Sequence, residues 1–428
     1  MSAETEDKEN RVSNTRFLEA LSWSTPDAYN PFNGGCAGDL DAADCTPSSQ
    51  AAIEYITVQS TRRSRTSLAS WDLKISRLDL LTNWAGDVGA AIGVEVRRET
   101  FFDDRDPRQD GTVMFTDRIS GLTTNDLMGN NPSLDARGSR MVQSGYVELQ
   151  VPLVSREMAI LFVQKVDMQL AARHEHFDTF GSVTKPKIAL SWRPFDFMLV
   201  HSAWSEGFRA PNLQQQFESS LQRSNNRTDY IFCEADVRAG RITRAQFTTS
   251  CSTRPAQPVI SNRQGSEDLQ PEESTNLTYG VVLESTFLPE EYGRISFTAD
   301  WWRVEQDNVV GIIGDDNAIL LDYVLRLQGV AGGNPLVIRN TPDAQDVLDF
   351  QGTGLTAVGD IVSVTDNYRN LDKRAVQGWD FGFYYDLENT PFGDFAFRAN
   401  AALLDKFFQD PSAEGRQILA AGAAGLIG

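Results

Sequence analysis

The chain has 428 residues, of which 41% are hydrophobic, and a formal net charge of -20. No apolar run of about 18 residues occurs, which excludes a conventional membrane-spanning helix but not a membrane barrel, whose strands are about 10 residues long and half polar. The acidic balance argues against a nucleic-acid partner, which needs a basic surface to displace counterions.

The start, Met1 to Lys8, is acidic and polar and lacks the basic start and apolar stretch of a secretory signal. Residues 1–13 are expected to be unstructured or the start of a fragment. Cys36 and Cys45 follow in a segment rich in Gly and Asp. The first clear strand is Ser67–Leu80, with Ala69, Trp71, Leu73 and Ile75 on one face and Ser70, Asp72, Lys74 and Ser76 on the other. Side chains of a strand alternate sides, so the segment separates a greasy surface from a wet one. After a tight Trp84-Ala85-Gly86-Asp87 turn, Val88–Arg97 repeats the code, with Val88, Ile92, Val94 and Val96 against Gly89, Gly93, Glu95 and Arg97. Small and charged residues on the second face suit a crowded polar lumen better than a dry core.

A long polar connection, about 100–140, leads to Gln143–Leu153 and Val166–Phe177, joined by a shorter link. Lys187–Arg193 and Phe195–Glu206 flank a predicted tight turn at Pro194. A second long connection, about 207–272, holds Cys233 and Cys251. Ser274–Phe287 and Arg294–Val304 are joined by a short turn, and a third long stretch covers about 305–374. The last pair is Ala375–Leu387 and Asp394–Leu404. Trp379, Phe381, Phe383, Tyr385, Phe395 and Phe397 mark its greasy face. In an up-and-down meander, alternate connections fall at the same end of the sheet. Here one end carries mostly short turns and the other long loops, with a shorter one at Asp178–Pro186. Compact soluble domains rarely hold structureless loops longer than about 12–15 residues, whereas outer-membrane barrels place short turns in the periplasm and long loops outside.

The cysteines form two local pairs, Cys36 with Cys45 and Cys233 with Cys251. Neither has Cys-x-x-Cys spacing or a nearby histidine, which argues against zinc. Two loop-closing disulfides are the preferred reading, with reduced surface thiols as the alternative. Other candidate sites have bland readings that are favoured. Arg209 with Glu206 reads as a structural strand exit before a ligand pair. His174 and His176 share a strand face, but two ligands are too few for a metal. Trp301, Trp302, Trp379, Tyr384 and Tyr385 could stack on a ligand, yet an interfacial aromatic girdle explains the outward ones. Asp103-Asp104-Arg105-Asp106 and Asp315-Asp316 lack the spaced oxygen set of a calcium loop. Gly311-Ile312-Ile313-Gly314 and Gly329-Val330-Ala331-Gly332-Gly333 lack a following Gly-Lys-Ser/Thr and read as flexible loop. Histidines occur only at 174, 176 and 201, so no catalytic triad is legible, and no enzyme activity, cofactor or metal is expected.

At Trp204-Ser205-Glu206-Gly207-Phe208-Arg209-Ala210-Pro211-Asn212-Leu213 the chain resembles the Gly-Phe-Arg-Ala-Pro segment of TonB-dependent outer-membrane receptor barrels. Leu269-Gln270-Pro271-Glu272-Glu273-Ser274 is similar to the family's Leu-x-Pro-Glu-x-Ser start of a barrel strand. Ala172-Arg173-His174-Glu175-His176-Phe177 is similar to its Arg-Tyr-Asp strand end. Gly207, Phe208, Arg209, Ala210, Pro211, Leu269, Pro271, Glu272 and Ser274 carry the likeness, which covers about Asn14 to the C-terminus.

The resemblance implies a 22-stranded transmembrane barrel with a plug in its lumen. The chain departs from it: nothing before Asn14 matches a plug, TonB box or signal, ten clear strands are about half a set, and the end lacks a closing aromatic strand. The fold expected is therefore all-β: residues 14–428 form a partial antiparallel up-and-down barrel without plug, with long extracellular loops. The function implied is a fragment of a receptor for energised uptake of a scarce nutrient (a siderophore-type metal chelate, a cofactor or an oligosaccharide), itself not transport-competent. Its partners would be outer-membrane lipid, a small ligand held by the long loops, and the TonB complex through the parent's plug. Two rivals remain: a passive outer-membrane channel or adhesin, and a secreted all-β carbohydrate-binding protein.

Overall fold

The computed structural model describes residues 1–32, 46–119, 121, 123–247 and 256–425. Its frame is an 11-stranded sheet in which every strand pairs with its neighbours in chain order. The strands are β1 (Ser2–Val12), β2 (Thr57–Asn83), β3 (Gly86–Asp104), β4 (Ala136–Val154), β5 (Lys165–Phe177), β6 (Gly181–Phe195), β7 (Met198–Arg209), β8 (Glu272–Glu284), β9 (Arg294–Asp307), β10 (Arg374–Thr390) and β11 (Gly393–Gln409). All these pairings are antiparallel.

The alternating sequence dictates the two faces. Trp71 (60% exposed), Trp379 (39%), Phe381 (36%), Phe395 (53%) and Phe397 (56%) stand on an open surface, with no second layer over them among the described residues. Their rings pack laterally instead: Trp379 stacks on Phe381 at 6.0 Å, and Tyr279 on Trp301 at 5.8 Å. The opposite face is ionic. Arg97 reaches Glu95, Glu99 and Glu175, Arg173 bridges Glu95 and Glu175, and Arg140 bonds Glu99 at 2.6 Å. A greasy exposed face backed by a charged one is the pattern of a membrane-barrel wall.

Several expectations change. Residues 2–12, read as unstructured or the start of a fragment, are not unstructured: they form β1 along β2, from Ser2 opposite Ser67 to Val12 opposite Thr57. The strand is polar on both faces, so it has no alternation to betray it, and cross-strand charge such as Arg63 to Glu6 (3.2 Å) replaces apolar contact. The turn placed at Pro194 falls at Asp196-Phe197, because β6 continues to Phe195. The loop placed at Asp178–Pro186 shrinks to residues 178–180, since β6 already starts at Gly181.

The long connections all lie at one end, and two of them fold together into a cap with its own hydrophobic core. It contains α-helices α1 (Tyr230–Arg238), α2 (Asp315–Leu327), α3 (Ala344–Asp349) and, after β11, α4 (Ala413–Ala423). A four-stranded sheet runs in the order 221–227, 257–263, 361–365, 337–339. Its central pair is parallel and joins the 207–272 connection to the 305–374 connection. Gly314 (φ +89) precedes α2 as its N-cap, with Asp315 and Asp316 on the helix's positive end and Arg326 in its last turn. It buries Ala318, Ile319, Tyr323 and Val324. The glycine runs expected to be flexible are built turns. Gly311 pairs with Arg369, and Gly329, Gly332 and Gly333 take positive φ in the turn that leaves α2.

Candidate ligand-capture end of the barrel wall

The segments that carry the family likeness, far apart in sequence, meet in space. β7 ends against the start of β8 with Gly207 opposite Ser274, Phe208 opposite Glu273 and Arg209 opposite Glu272. A Cβ on Gly207 would meet the Ser274 Oγ at 2.7 Å, so any larger residue there makes that hydroxyl turn aside. Arg209 Nη2 donates to Glu272 Oε1 at 2.6 Å, and the same oxygen accepts the Val310 N–H at 2.7 Å. Glu272 thus pins the strand exit to the chain leaving β9. Pro211 O accepts from Arg140 Nη1 at 2.5 Å, tying the strand exit to the ionic wall. Phe208 packs edge-on to Phe177 at 5.9 Å, and Leu269 is buried. Glu206 does not join Arg209; its neighbour is Lys185 at 3.7 Å.

The other candidates separate by face. Trp301 and Trp379 are opposite one another in register on the greasy side. Trp302 lies on the polar side over Gly378, and Tyr384 there donates to Asn400 Oδ1 at 3.0 Å. Tyr385, on the greasy side, donates to Tyr292 O at 3.1 Å. His174 and His176 also stand on the greasy side, hydrogen-bonded to Thr184 (2.8 Å) and Ser182 (2.9 Å). Two members of the acidic run at the end of β3 are held internally: Asp103 takes a bidentate bond from Arg62 at 2.7 and 2.8 Å, and Asp106 accepts the Arg108 N–H at 2.9 Å. Asp315 binds Arg227 at 2.8 Å. Among the described residues no group of three His, Cys, Asp or Glu is placed to hold a metal. Cys233 is buried on α1. Cys36, Cys45 and Cys251 lie outside the described residues.

Sequence reading missed the ionic locks of the cap. Arg339 donates to Asp229 through both terminal nitrogens at 2.6 and 2.9 Å, and through Nε to Asp322 at 3.0 Å. Arg326 adds a bond to Asp322 at 2.9 Å. Glu234 accepts from Arg238, Arg244 and the Tyr323 hydroxyl. Burial pushes the Glu234 carboxyl up, but the bonds from Arg244, Arg238 and Tyr323 outweigh it and hold the group below its ordinary value. Tyr323 moves the other way: burial, then the Glu234 charge, raise its hydroxyl well above the usual phenol range. No local motif announces these pairs, because Arg339 and Asp229 stand 110 residues apart.

Where the wall meets the loop end, its polar face opens into a cleft of about 320 Å³ lined by Asp7, Arg11, Arg62, Arg105 and Asn130 among others.

A sequential antiparallel sheet, greasy outside and ionic inside, with short turns at one end and folded excursions at the other, defines a transmembrane β-barrel wall. The chain belongs to the family described as TonB dependent receptor-like, beta-barrel, which it matches over residues 8–421. No curated protein matches. Among solved structures it is similar to the siderophore receptor PirA from Acinetobacter baumannii (15% identity, TM-score 0.46, covering 82% of this chain and 38% of that one). It is also similar to PirA from Pseudomonas aeruginosa (15%, 0.41, 82% and 45%) and to a double mutant of the Serratia marcescens hemophore receptor HasR (12%, 0.41, 81% and 42%). The chain therefore spans less than half the length of these three receptors.

Proposed function

We propose that this chain builds part of the wall and the ligand-facing rim of a Gram-negative outer-membrane receptor that takes up a scarce nutrient with energy delivered by the TonB complex. The observation that carries the reading is the pairing of an exposed apolar face with a folded cap made from the long connections. A passive pore has no need to fold two excursions into one packed unit, whereas capture of a dilute ligand gains from a preorganised surface. Stretches 100–140, 207–272 and 305–374 supply that surface, and the ligand is a metal chelate, a cofactor or an oligosaccharide.

The 11-stranded sheet leaves β1 and β11 each with one unpaired edge. Unpaired backbone groups in lipid cost several kcal/mol each, so the working wall includes further strands, and residues 1–428 alone do not transport. In this family the TonB complex acts through a plug, and the described residues are assigned to wall and rim. The test is expression of residues 1–428 behind an outer-membrane leader. The protein is expected in the detergent-extracted outer-membrane fraction, with no saturable nutrient uptake. A monodisperse protein in buffer without detergent overturns the membrane reading, and saturable uptake overturns the fragment reading.

A further inference from the structure

The cleft at the loop end of the wall is walled by hydrogen-bonding groups alone. Asp7 and Arg11 of β1 with Ser60 and Arg62 of β2 form one side, and Arg105 and Asn130 stand on the other. Among the described residues no aromatic or aliphatic side chain lines it. The side that follows β3 is anchored: Asp106 Oδ2 accepts the Thr61 N–H at 3.2 Å, and Gln109 O accepts the Ser133 N–H at 3.1 Å. At about 320 Å³ the cleft is at the small end of ligand sites, which span about 300–1,000 Å³. One or two sugar-sized rings fit it, and a macrocyclic cofactor does not.

The cations of the cleft are already answered from within. Arg62 gives Nε and Nη2 to Asp103, Arg105 gives Nη2 to the same carboxylate at 2.9 Å, and Arg11 is paired with Glu9. An anionic guest has to compete with those carboxylates, so net charge is not what the cleft selects. Two enclosed atoms are left unmet instead. Arg105 is 8% exposed and Glu218 is 5% exposed, and neither Arg105 Nε nor Glu218 Oε1 has a hydrogen-bond partner among the described residues. The two groups are neighbours, because Glu218 Oε1 lies 3.6 Å from Arg105 Nη2. A donor and an acceptor left over side by side are the complement of a hydroxyl, which both gives and takes a hydrogen bond. An ammonium answers the acceptor alone, and a carboxylate the donor alone. The Ser60 hydroxyl and the Gln109 and Asn130 amides, each donor and acceptor at once, also line the cleft with no side-chain partner among the described residues.

We propose that this cleft binds a neutral, hydroxyl-rich guest, either a small free sugar or the end of a sugar chain. The proposal rests on the receptor reading above and narrows its cargo to carbohydrate. On binding, the Arg105 fork turns its Nε edge to a sugar hydroxyl, which donates in turn to Glu218 Oε1. Neighbouring hydroxyls meet Ser60, Gln109, Asn130 and the Asp7 carboxylate. The guest brings no charge to be desolvated, and the ion pairs around it keep their own partners. An aromatic chelate finds no ring here to stack on.

The test is calorimetric titration of residues 1–428 in detergent with maltose, cellobiose and N-acetylglucosamine. Maltohexaose is the longer probe, and its tighter binding than maltose assigns the site to a chain end, equal binding to a free sugar. Citrate and spermidine are the anionic and cationic controls. At least one sugar is expected to bind, with both controls at least about tenfold weaker. Added salt should leave the sugar's affinity unchanged, since no net charge is bound. Arg105→Lys keeps a cation beside Asp103 but removes the Nε donor, and should weaken the sugar about tenfold. Asn130→Ala, on the loop side, should weaken it about threefold and serves as the second variant should Arg105→Lys fail to fold. No binding of any sugar, a control bound as tightly as the best sugar, or full affinity in the folded variants overturns the site, and ordered water is then what meets Arg105. Each of those results leaves the receptor reading standing. A chain that stays in the aqueous phase without detergent overturns the receptor reading and the proposal built on it.

Discussion

Replacing Arg339 by methionine should unlock the cap without unfolding the wall. The guanidinium is almost fully enclosed and serves Asp229 twice, Asp322 once and the Gly359 carbonyl at 3.1 Å. Methionine matches much of its length but offers no donor. Asp322, at 0% exposure, keeps Arg326 and the Asn334 N–H (2.8 Å), whereas Asp229 loses both bonds to Arg339. Breaking a buried pair by removing one partner costs about 3–5 kcal/mol, because the remaining charge is left uncompensated. The surviving partners of Asp322 place this case at the lower end, about 3 kcal/mol. That raises the population of the opened cap roughly a hundredfold. Hydrogen exchange followed peptide by peptide reads the effect. Amides of 221–227, 257–263, 337–339 and 361–365 should lose protection, while those of β4 to β7 keep theirs. Arg326→Met, which leaves Arg339 in place, should produce a much smaller change. Equal loss of protection in cap and wall would refute the view that the cap is a separate cooperative unit, and no loss anywhere would refute the lock.

Acid should loosen the same cap. The folded carboxyl of Glu234 titrates below its ordinary 4.5, so its contribution is complete above 4.5 and is lost as pH falls through the lower folded value. Tyr323 acts at the other limit: its hydroxyl titrates above the ordinary 10.0, so its contribution is complete below that pH and disappears as pH rises through the raised value. Glu234→Gln should flatten the acid limb of a cap-melting curve recorded against pH, and an unchanged limb would remove Glu234 from the account. On the greasy face, Phe381→Arg should cost about 2–4 kcal/mol of stability in liposomes if it sits near the midplane. Thr298→Arg, on the polar face of the adjoining strand, should cost little, and equal penalties in urea unfolding would mean the faces are misassigned. Glu272→Ala removes both the Arg209 bond and the acceptor of the Val310 N–H, so it should destabilise the strand exit by about 1–3 kcal/mol. Arg209→Ala, whose side chain is largely solvated, should cost less, as thermal melts of the two variants will show.

The wall was legible because its signal is local. Trp71-x-Leu73-x-Ile75 and Trp379-x-Phe381-x-Phe383 write the period of a strand directly into neighbouring residues, and ten of the eleven strands follow from it. β1 escaped because Glu4, Glu6 and Lys8 present charge where the others present hydrocarbon, and its register depends on arginines some 57 residues away. The cap escaped for the same reason on a larger scale. Helix α2 does carry apolar residues at helical spacing, Ile319 with Tyr323 and Leu320 with Val324, but what they pack on arrives from another excursion. The family segments were visible as a string of residues. Their shared purpose, a glycine letting Ser274 approach and a glutamate fastening β9 to the exit of β7, became visible only once the strands were side by side.

The parallel rungs between Ile260–Asn262 and Ser363–Thr365 give the rim a mechanical character. They splice the excursion rooted in β7 and β8 to the one rooted in β9 and β10, so four neighbouring staves of the wall share a single roof rather than carrying two independent loops.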